Sequence, residues 1–161
     1  MKLITYTSFS KPSYLEKERI AQFLFKHLEQ YGDPLEDINK CIDYAMKERS
    51  SHGGYIITAE DEEQIVGATV VNQTGMEGYI PENILVYIAV DANQRGKGVG
   101  KAIMNKAIEQ ADGDIALHVE PDNPAKHLYE KLGFTNKYLE MRLTKKDLKA
   151  ADTLSANNSK A

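Results

Sequence analysis

Tryptophan is absent from this 161-residue chain, cysteine occurs once and proline five times. The lone Cys41 has no partner for an intramolecular disulfide, so the fold must hold by packing, in keeping with a reducing compartment. Ile38, Ile42 and Ala45 share its helical stripe, which favours a packing cysteine over a catalytic thiol. No apolar run approaches the length of a membrane span, so no membrane partner is expected. The opening MKLITYTSFS has one lysine and then alternates instead of forming a continuous apolar block; no secretory leader is expected, and the expected location is cytoplasmic. Positive charge is in deficit: 20 Lys and Arg stand against 24 Asp and Glu, a net charge of -4, which argues against nucleic acid as a bulk partner. His118 and His127 lack metal-ligand spacing, and no metal is expected.

What is present suits one globular domain large enough to bury a core. KLITYTS alternates as a strand does. SYLE at residues 13–16 has the form of a capping box, and Ile20, Phe23, Leu24, Leu28 and Tyr31 follow at helical spacing until Gly32. DPLE repeats the device, with Asp33 as the cap of a second helix that shows Leu35, Ile38, Ile42, Ala45 and Met46 on one face. From Tyr55 the period changes to two. YIITAE, the acidic turn DEEQ and IVGATVV read as a β-hairpin, and ILVYIAV as a third run. A helix starts near Val99, IALHV reads as a strand, NPAKHLYEKLGF as a short helix, and YLEMRL as a last extended stretch ending at Leu143. This is an α/β (α+β) order: a mixed, mostly antiparallel sheet with helices on both faces. The domain is expected to span residues 1–143, and the polar tail 144–161 to be an exposed helical turn followed by disorder.

The residues that carry chemistry lie in QRGKGVGK, 94–101, directly after ILVYIAV. Arg95, Lys97 and Lys101 stand there with no acid between them, so the rest of the chain is more acidic still, and a small anion-sized positive site results. A glycine-rich loop between a strand end and a helix start presents unpaired N–H groups and the positive end of the helix dipole, which is an anion cradle. A Walker loop needs Ser or Thr after Gly100-Lys101, and Ala102 stands there. A dinucleotide fingerprint needs a third glycine where Lys101 stands, although Glu120 lies near the distance of a ribose-binding acid; a nicotinamide enzyme is a competing class.

Arg95, Gly98 and Gly100 match the Arg/Gln-x-x-Gly-x-Gly/Ala pattern of the GNAT superfamily of acyl-CoA-dependent N-acetyltransferases. The chain resembles that superfamily from about Lys2 to Leu143. The second motif, LHVEPDNPAKHLYEKLGF, resembles the family's fifth strand and following helix. The resemblance implies a sheet splayed between its fourth and fifth strands, with acetyl-CoA as cofactor and its pantetheine arm in the gap. The expected contacts are the backbone of Ile88, Ala89 and Val90 and the amides of Arg95, Gly96, Lys97, Gly98, Val99, Gly100 and Lys101. It also implies a role for Asn123 on the pantetheine arm beside its capping role, and for Tyr129 as the acid that protonates the leaving thiolate, with core packing the plain alternative. Many members carry a Glu on the fourth strand to deprotonate the amine. Ile84 stands there, and Glu82, two residues earlier, is either a base acting through water or a solvated loop acid. The implied function is transfer of acetyl from acetyl-CoA to a primary amine, with a catalytically silent acyl-CoA-binding regulator as the alternative. The acids Asp61, Glu62, Glu63, Glu77 and Glu82 suggest a small cationic amine, with a peptide amine and a homodimer left open.

Overall fold

Alternation in the first residues becomes strand β1 (Lys2–Thr7), and the computed structural model, which describes residues 1–148, carries the chain from there into helix α1 (Tyr14–His27). Ser13 caps that helix by reciprocal bonds: its Oγ accepts the Glu16 N–H at 3.1 Å, and the Glu16 carboxylate accepts the Ser13 N–H at 3.2 Å. A 3₁₀ turn, Glu29–Tyr31, leads to helix α2 (Leu35–Ala45). The second capping device does not form. Pro34 takes the cap position without a side-chain bond, and the Asp33 carboxylate instead accepts a hydrogen bond from the buried phenol of Tyr87, 54 residues along the chain. A buried hydroxyl must find an acceptor, and this one takes the carboxylate away from the helix end.

Strands β2 (Gly54–Asp61) and β3 (Gln64–Gln73) form the expected hairpin. Glu62 and Glu63 turn it with φ of 49° and 62°, the left-handed pair that matches strand twist in a two-residue turn. Strand β4 (Asn83–Val90), helix α3 (Val99–Gln110), strand β5 (Ile115–Leu117) and helix α4 (Ala125–Lys131) complete the described order. The sheet runs β1-β2-β3-β4-β5, antiparallel except for the parallel pair β4 and β5. Each face has its own core. Ile20, Leu24, Ile38 and Ile42 bring α1 and α2 onto one, and Ile103, Met104 and Tyr129 bring α3 and α4 onto the other. Gly67 admits α3, because a Cβ there would lie 2.5 Å from Ile103 Cδ1.

Two expected strands differ from the reading. The run IALHV is a strand over three residues only, and YLEMRL, residues 138–143, joins no sheet. Alternation records that one side of a segment wants cover, but not which edge it pairs with. Residues 145–148 begin a helical turn, and the rest of the tail expected from Thr144 lies outside the described residues.

Candidate active site

The cleft begins with one surplus residue. Val70 faces Tyr87 and Val71 faces Leu85, so Val86 bulges out of the β3–β4 ladder. The bulge resets the alternation: Leu85 and Ile88 both join the α3–α4 core, whereas Tyr87 and Ala89 join the α1–α2 core. Thr69 Oγ1 donates to the Tyr87 carbonyl at 2.7 Å and fixes the strand just after the bulge. On the opposite edge, β5 pairs only with Asn83, Ile84 and Leu85. Asn83 fastens this closed end, its Nδ2 donating to the carbonyls of Asp112 at 2.9 Å and Asp114 at 3.2 Å. Beyond Leu85 the two parallel strands part. Residues 87–90, including Ile88, Ala89 and Val90, therefore turn a strand edge with no described partner toward the gap.

That edge runs into the glycine loop. Gly96 and Gly98 have φ of 79° and 83°, and a Cβ on either would meet nothing within 4 Å. Their open sides face free space. The N–H groups of residues 96–101 donate to no described protein group, and Gly98 begins α3 without a side-chain cap. Val99 is buried and offers only its backbone. Gly100 has a different reason to lack a side chain: a Cβ there would lie 3.3 Å from Leu128 Cδ2, so the glycine seats α3 on α4. The Lys97 ammonium lies 3.4 Å from Gln94 Oε1, and Lys101 is exposed. Arg95 sits 3.4 Å from the Glu29 carboxylate with both side chains about half exposed, a contact weak enough to be exchanged for an arriving anion. A free strand edge that ends in uncommitted amides and cations fits a ligand with an amide-bearing arm and phosphates.

Across the gap, Pro124 and not Asn123 takes the cap position of α4, without a side-chain bond; Asn123 stands one residue earlier, its Oδ1 accepts the Ala125 N–H at 3.0 Å, and its Nδ2 has no described partner. Tyr129 lies on α4 with its ring 6.0 Å from that of Phe134. Burial pushes its phenol up to about 12, and its hydroxyl bonds no described protein group. Glu82 lies at the closed end. Its carboxylate accepts the Asp114 N–H at 2.9 Å and the Gly78 N–H at 3.2 Å, and these bonds hold its carboxyl below the usual range. The side chain thus pins the β3–β4 loop to the turn before β5.

The segment 29–33 was not read from the sequence as part of the site. Glu29 meets Arg95 of the loop, Tyr31 donates to the Asp122 carbonyl beyond β5 at 3.3 Å, and the Asp33 carboxylate accepts the Tyr87 hydroxyl at 2.6 Å. One short turn thus touches three walls of the cleft. Burial, with the Asp33 carboxylate beside it, pushes the Tyr87 phenol up, so it stays a donor. The one sequence signal was the single polar-tipped residue in ILVYIAV. Cys41 is buried, accepts a bond from Asn72 Nδ2 at 3.4 Å, and has its thiol pushed up to about 12 by burial, as a packing residue should. An open groove of about 560 Å³ lies elsewhere, between α1 and the β2–β3 turn, lined by Arg19, Phe23, His27, Asp61 and Gln64 among others.

Over residues 13–134 the chain matches the model of the Acetyltransferase (GNAT) family. Among solved structures it is similar to a transcriptional regulator from Bacillus halodurans C-125, with a TM-score of 0.63 and 19% identity over 89% of this chain and 99% of that one. It is similar to a ribosomal-protein-alanine N-acetyltransferase from Brucella melitensis biovar Abortus 2308, at 0.61 and 14% over 89% and 98%. An aminoglycoside acetyltransferase from an uncultured soil metagenomic sample aligns at 0.58 and 18% over 89% and 93%. At these identities the likeness is one of fold. A comparison with curated proteins gives no match.

Proposed function

Because the chain belongs to the GNAT acetyltransferase family, we propose that it moves an acetyl group from acetyl-CoA to the primary amine of a small cationic acceptor, by direct attack of the amine on the thioester. The observation that carries this is the β4 edge left open beyond Leu85 and its continuation into the uncommitted amides of residues 96–101. The thioester supplies an activated acetyl group whose carbon–sulfur bond breaks as the carbon–nitrogen bond forms. The chain's own part is to bind and to move protons. Backbone groups of residues 87–90 add strand-like bonds to the arm, the amides of 96–101 and the start of α3 take the phosphates, and Asn123 Nδ2 reaches the arm from the far wall. Tyr129 holds a proton at Oη for the departing thiolate.

The amine must arrive neutral at nitrogen. Releasing the proton of a lysine-like amine costs roughly 4.6 kcal/mol at pH 7, and that of an α-amino group about 1. Glu82 has both oxygens committed to amides at the closed end of β4. Asp33 is the better placed carboxylate: exposed, beside the bulge, oriented by Tyr87, with Oδ1 free of described partners. We assign it the acceptor's ammonium and the first proton. Amine acceptors as different as a ribosomal-protein alanine and an aminoglycoside appear among proteins of the same fold, which supports the amine class and leaves its member to experiment.

A panel of polyamines, amino acids, aminoglycosides and peptides, assayed for acetyl-CoA-dependent thiol release, tests this reading. A cationic amine should be the best acceptor, with a KM that rises with salt as screening weakens the attraction. Asp33→Asn should raise that KM about tenfold, by loss of one charge-assisted bond. Thermal stabilisation by acetyl-CoA with no thiol release from any amine would leave a binding protein without chemistry. A best acceptor that is neutral or anionic would remove the role of Asp33.

A further inference from the structure

Two acids of the turn between β2 and β3, Asp61 and Glu62, line the open groove of about 560 Å³ under α1. Its walls carry opposite charge. Arg19 and Lys26, with Phe23 between them at spacings of four and three, share the face that α1 turns to the groove. The sheet supplies the other wall: Asp61 and Glu62 from the hairpin, joined by Asp91 just past the end of β4. None of these charged groups belongs to an ion pair among the described residues. Arg19 donates at 2.9 Å to the Glu63 carbonyl, which is uncharged, and Asp91 gives one oxygen to the Asn93 N–H at 2.9 Å.

Between the walls the lining is apolar, with Phe23, Ile65 and Val66. His27 belongs to it. Its ring stacks on Phe23 with centroids 4.4 Å apart, and burial holds the imidazole below its usual range despite the opposing pull of Asp91, so at neutral pH it is uncharged. The volume suits a small molecule. A lone anion entering the groove would meet Asp61, Glu62 and Asp91, and a lone cation would meet Arg19 and Lys26. A molecule that carries both charges on a hydrocarbon body is complementary to both walls and to what lies between them.

We propose that this groove binds a free α-amino acid with an apolar side chain, its carboxylate toward Arg19 and Lys26, its ammonium toward Asp61, Glu62 and Asp91, and its side chain over Phe23 and Ile65. The site does not depend on acetyl transfer in the cleft, yet it touches the chain that leads there. Asp91 caps the turn 92–94, and Gln94 both lines the groove and lies 3.4 Å, through Oε1, from the Lys97 ammonium of the glycine loop.

Calorimetry on the full chain with L-leucine and with L-phenylalanine should give a dissociation constant of about 1 mM or tighter, within reach of a ligand of this size. Leucine lacking one charge is the control: 4-methylpentanoate has no ammonium and 3-methylbutylamine no carboxylate, and each should bind at least about tenfold more weakly. Variants on the walls assign the two ends. Asp61→Asn with Glu62→Gln should weaken leucine about tenfold and 4-methylpentanoate not at all, whereas Arg19→Gln with Lys26→Gln should weaken leucine as much and spare 3-methylbutylamine. All four side chains are exposed, so melting temperatures should hold. On adding leucine, amide chemical shifts should move in residues 19–27, 61–66 and 91–94, and Asp33→Asn should leave leucine affinity unchanged, which separates the groove from an acceptor's place in the cleft. Neither amino acid binding, a singly charged analogue binding as well as leucine, or shifts confined to residues 29–33 and 87–90 would each overturn the site.

Discussion

A phenol pushed up to about 12 keeps its proton at any pH where an acetyl transfer is assayed, so Tyr129 suits a donor and is ill suited to being a base. Tyr129→Phe keeps the ring and its contact with Phe134. Because the hydroxyl bonds no described protein group, melting temperature and acetyl-CoA affinity should hold while kcat falls by about 10²-fold, the low end for a lost general acid, since a thiolate leaves fairly well unaided. A Phe variant at the parent rate, with chemistry rate-limiting, would return Tyr129 to the core. The same burial has a cost at high pH. A phenol whose folded pKa is raised from 10.0 to about 12 stabilises the fold fully below about 10 and ceases to do so as pH climbs through about 12. Melting curves of the parent should therefore sag above pH 10, and less steeply in Tyr129→Phe. Helix α4, which carries Tyr129, was legible because its motif is local. Asp33 was not: DPLE has every mark of a helix cap, and the phenol that claims its carboxylate lies far along the chain, where no spacing rule reaches.

At the scale of the element, the glycines of the loop separate into two kinds that the motif alone treats alike. Gly98 has a φ of 83° and empty space where a Cβ would stand; Gly100 has ordinary helical backbone with Leu128 against it. Substitution at Gly98 thus carries a backbone term and a ligand term, and two variants separate them. Gly98→Ala should lose roughly 1–2 kcal/mol of stability from the left-handed residue, and it adds only a methyl group on the open side. Gly98→Glu should lose about the same stability and in addition place a carboxylate where phosphate belongs, abolishing acetyl-CoA binding by calorimetry. Equal affinity in the two folded variants would mean that the ligand's phosphates lie elsewhere. Elements whose signals are local were readable: the Ser13 box, the hairpin turn at Glu62 and Glu63, the start of α3 at Val99. The length of β5 was not, because IALHV carries five strand-like residues and the parting from β4 that ends its pairing after Leu117 is imposed by the bulge at Val86.

For the whole molecule, that parting divides the fold into a firm part and a loosely joined one. Strands β1 to β4 form a continuous antiparallel meander with a core on each face, and Tyr55 ties its centre to α3 through a 2.6 Å bond to the Ala107 carbonyl. By contrast β5 holds to β4 over three residue pairs, helped by Asn83, and α4 is seven residues long. Elements with few ladder bonds open at lower free energy than the body that carries them. Amide hydrogens of β5 and α4 should accordingly exchange well before those of β2 and β3, while the middle of α3 follows the slow group. A ligand whose arm lies along the β4 edge and touches Asn123 would join the two parts. Acetyl-CoA should then slow exchange in residues 115–131 and in the loop 94–101, and change β2 little. Protection confined to the groove between α1 and the β2–β3 turn would move the binding site to that groove; uniform fast exchange across the whole sheet would show that the two parts do not differ in stability. The prediction follows from the one-residue bulge at Val86, which both opens the slot and weakens the hold on the wall beyond it.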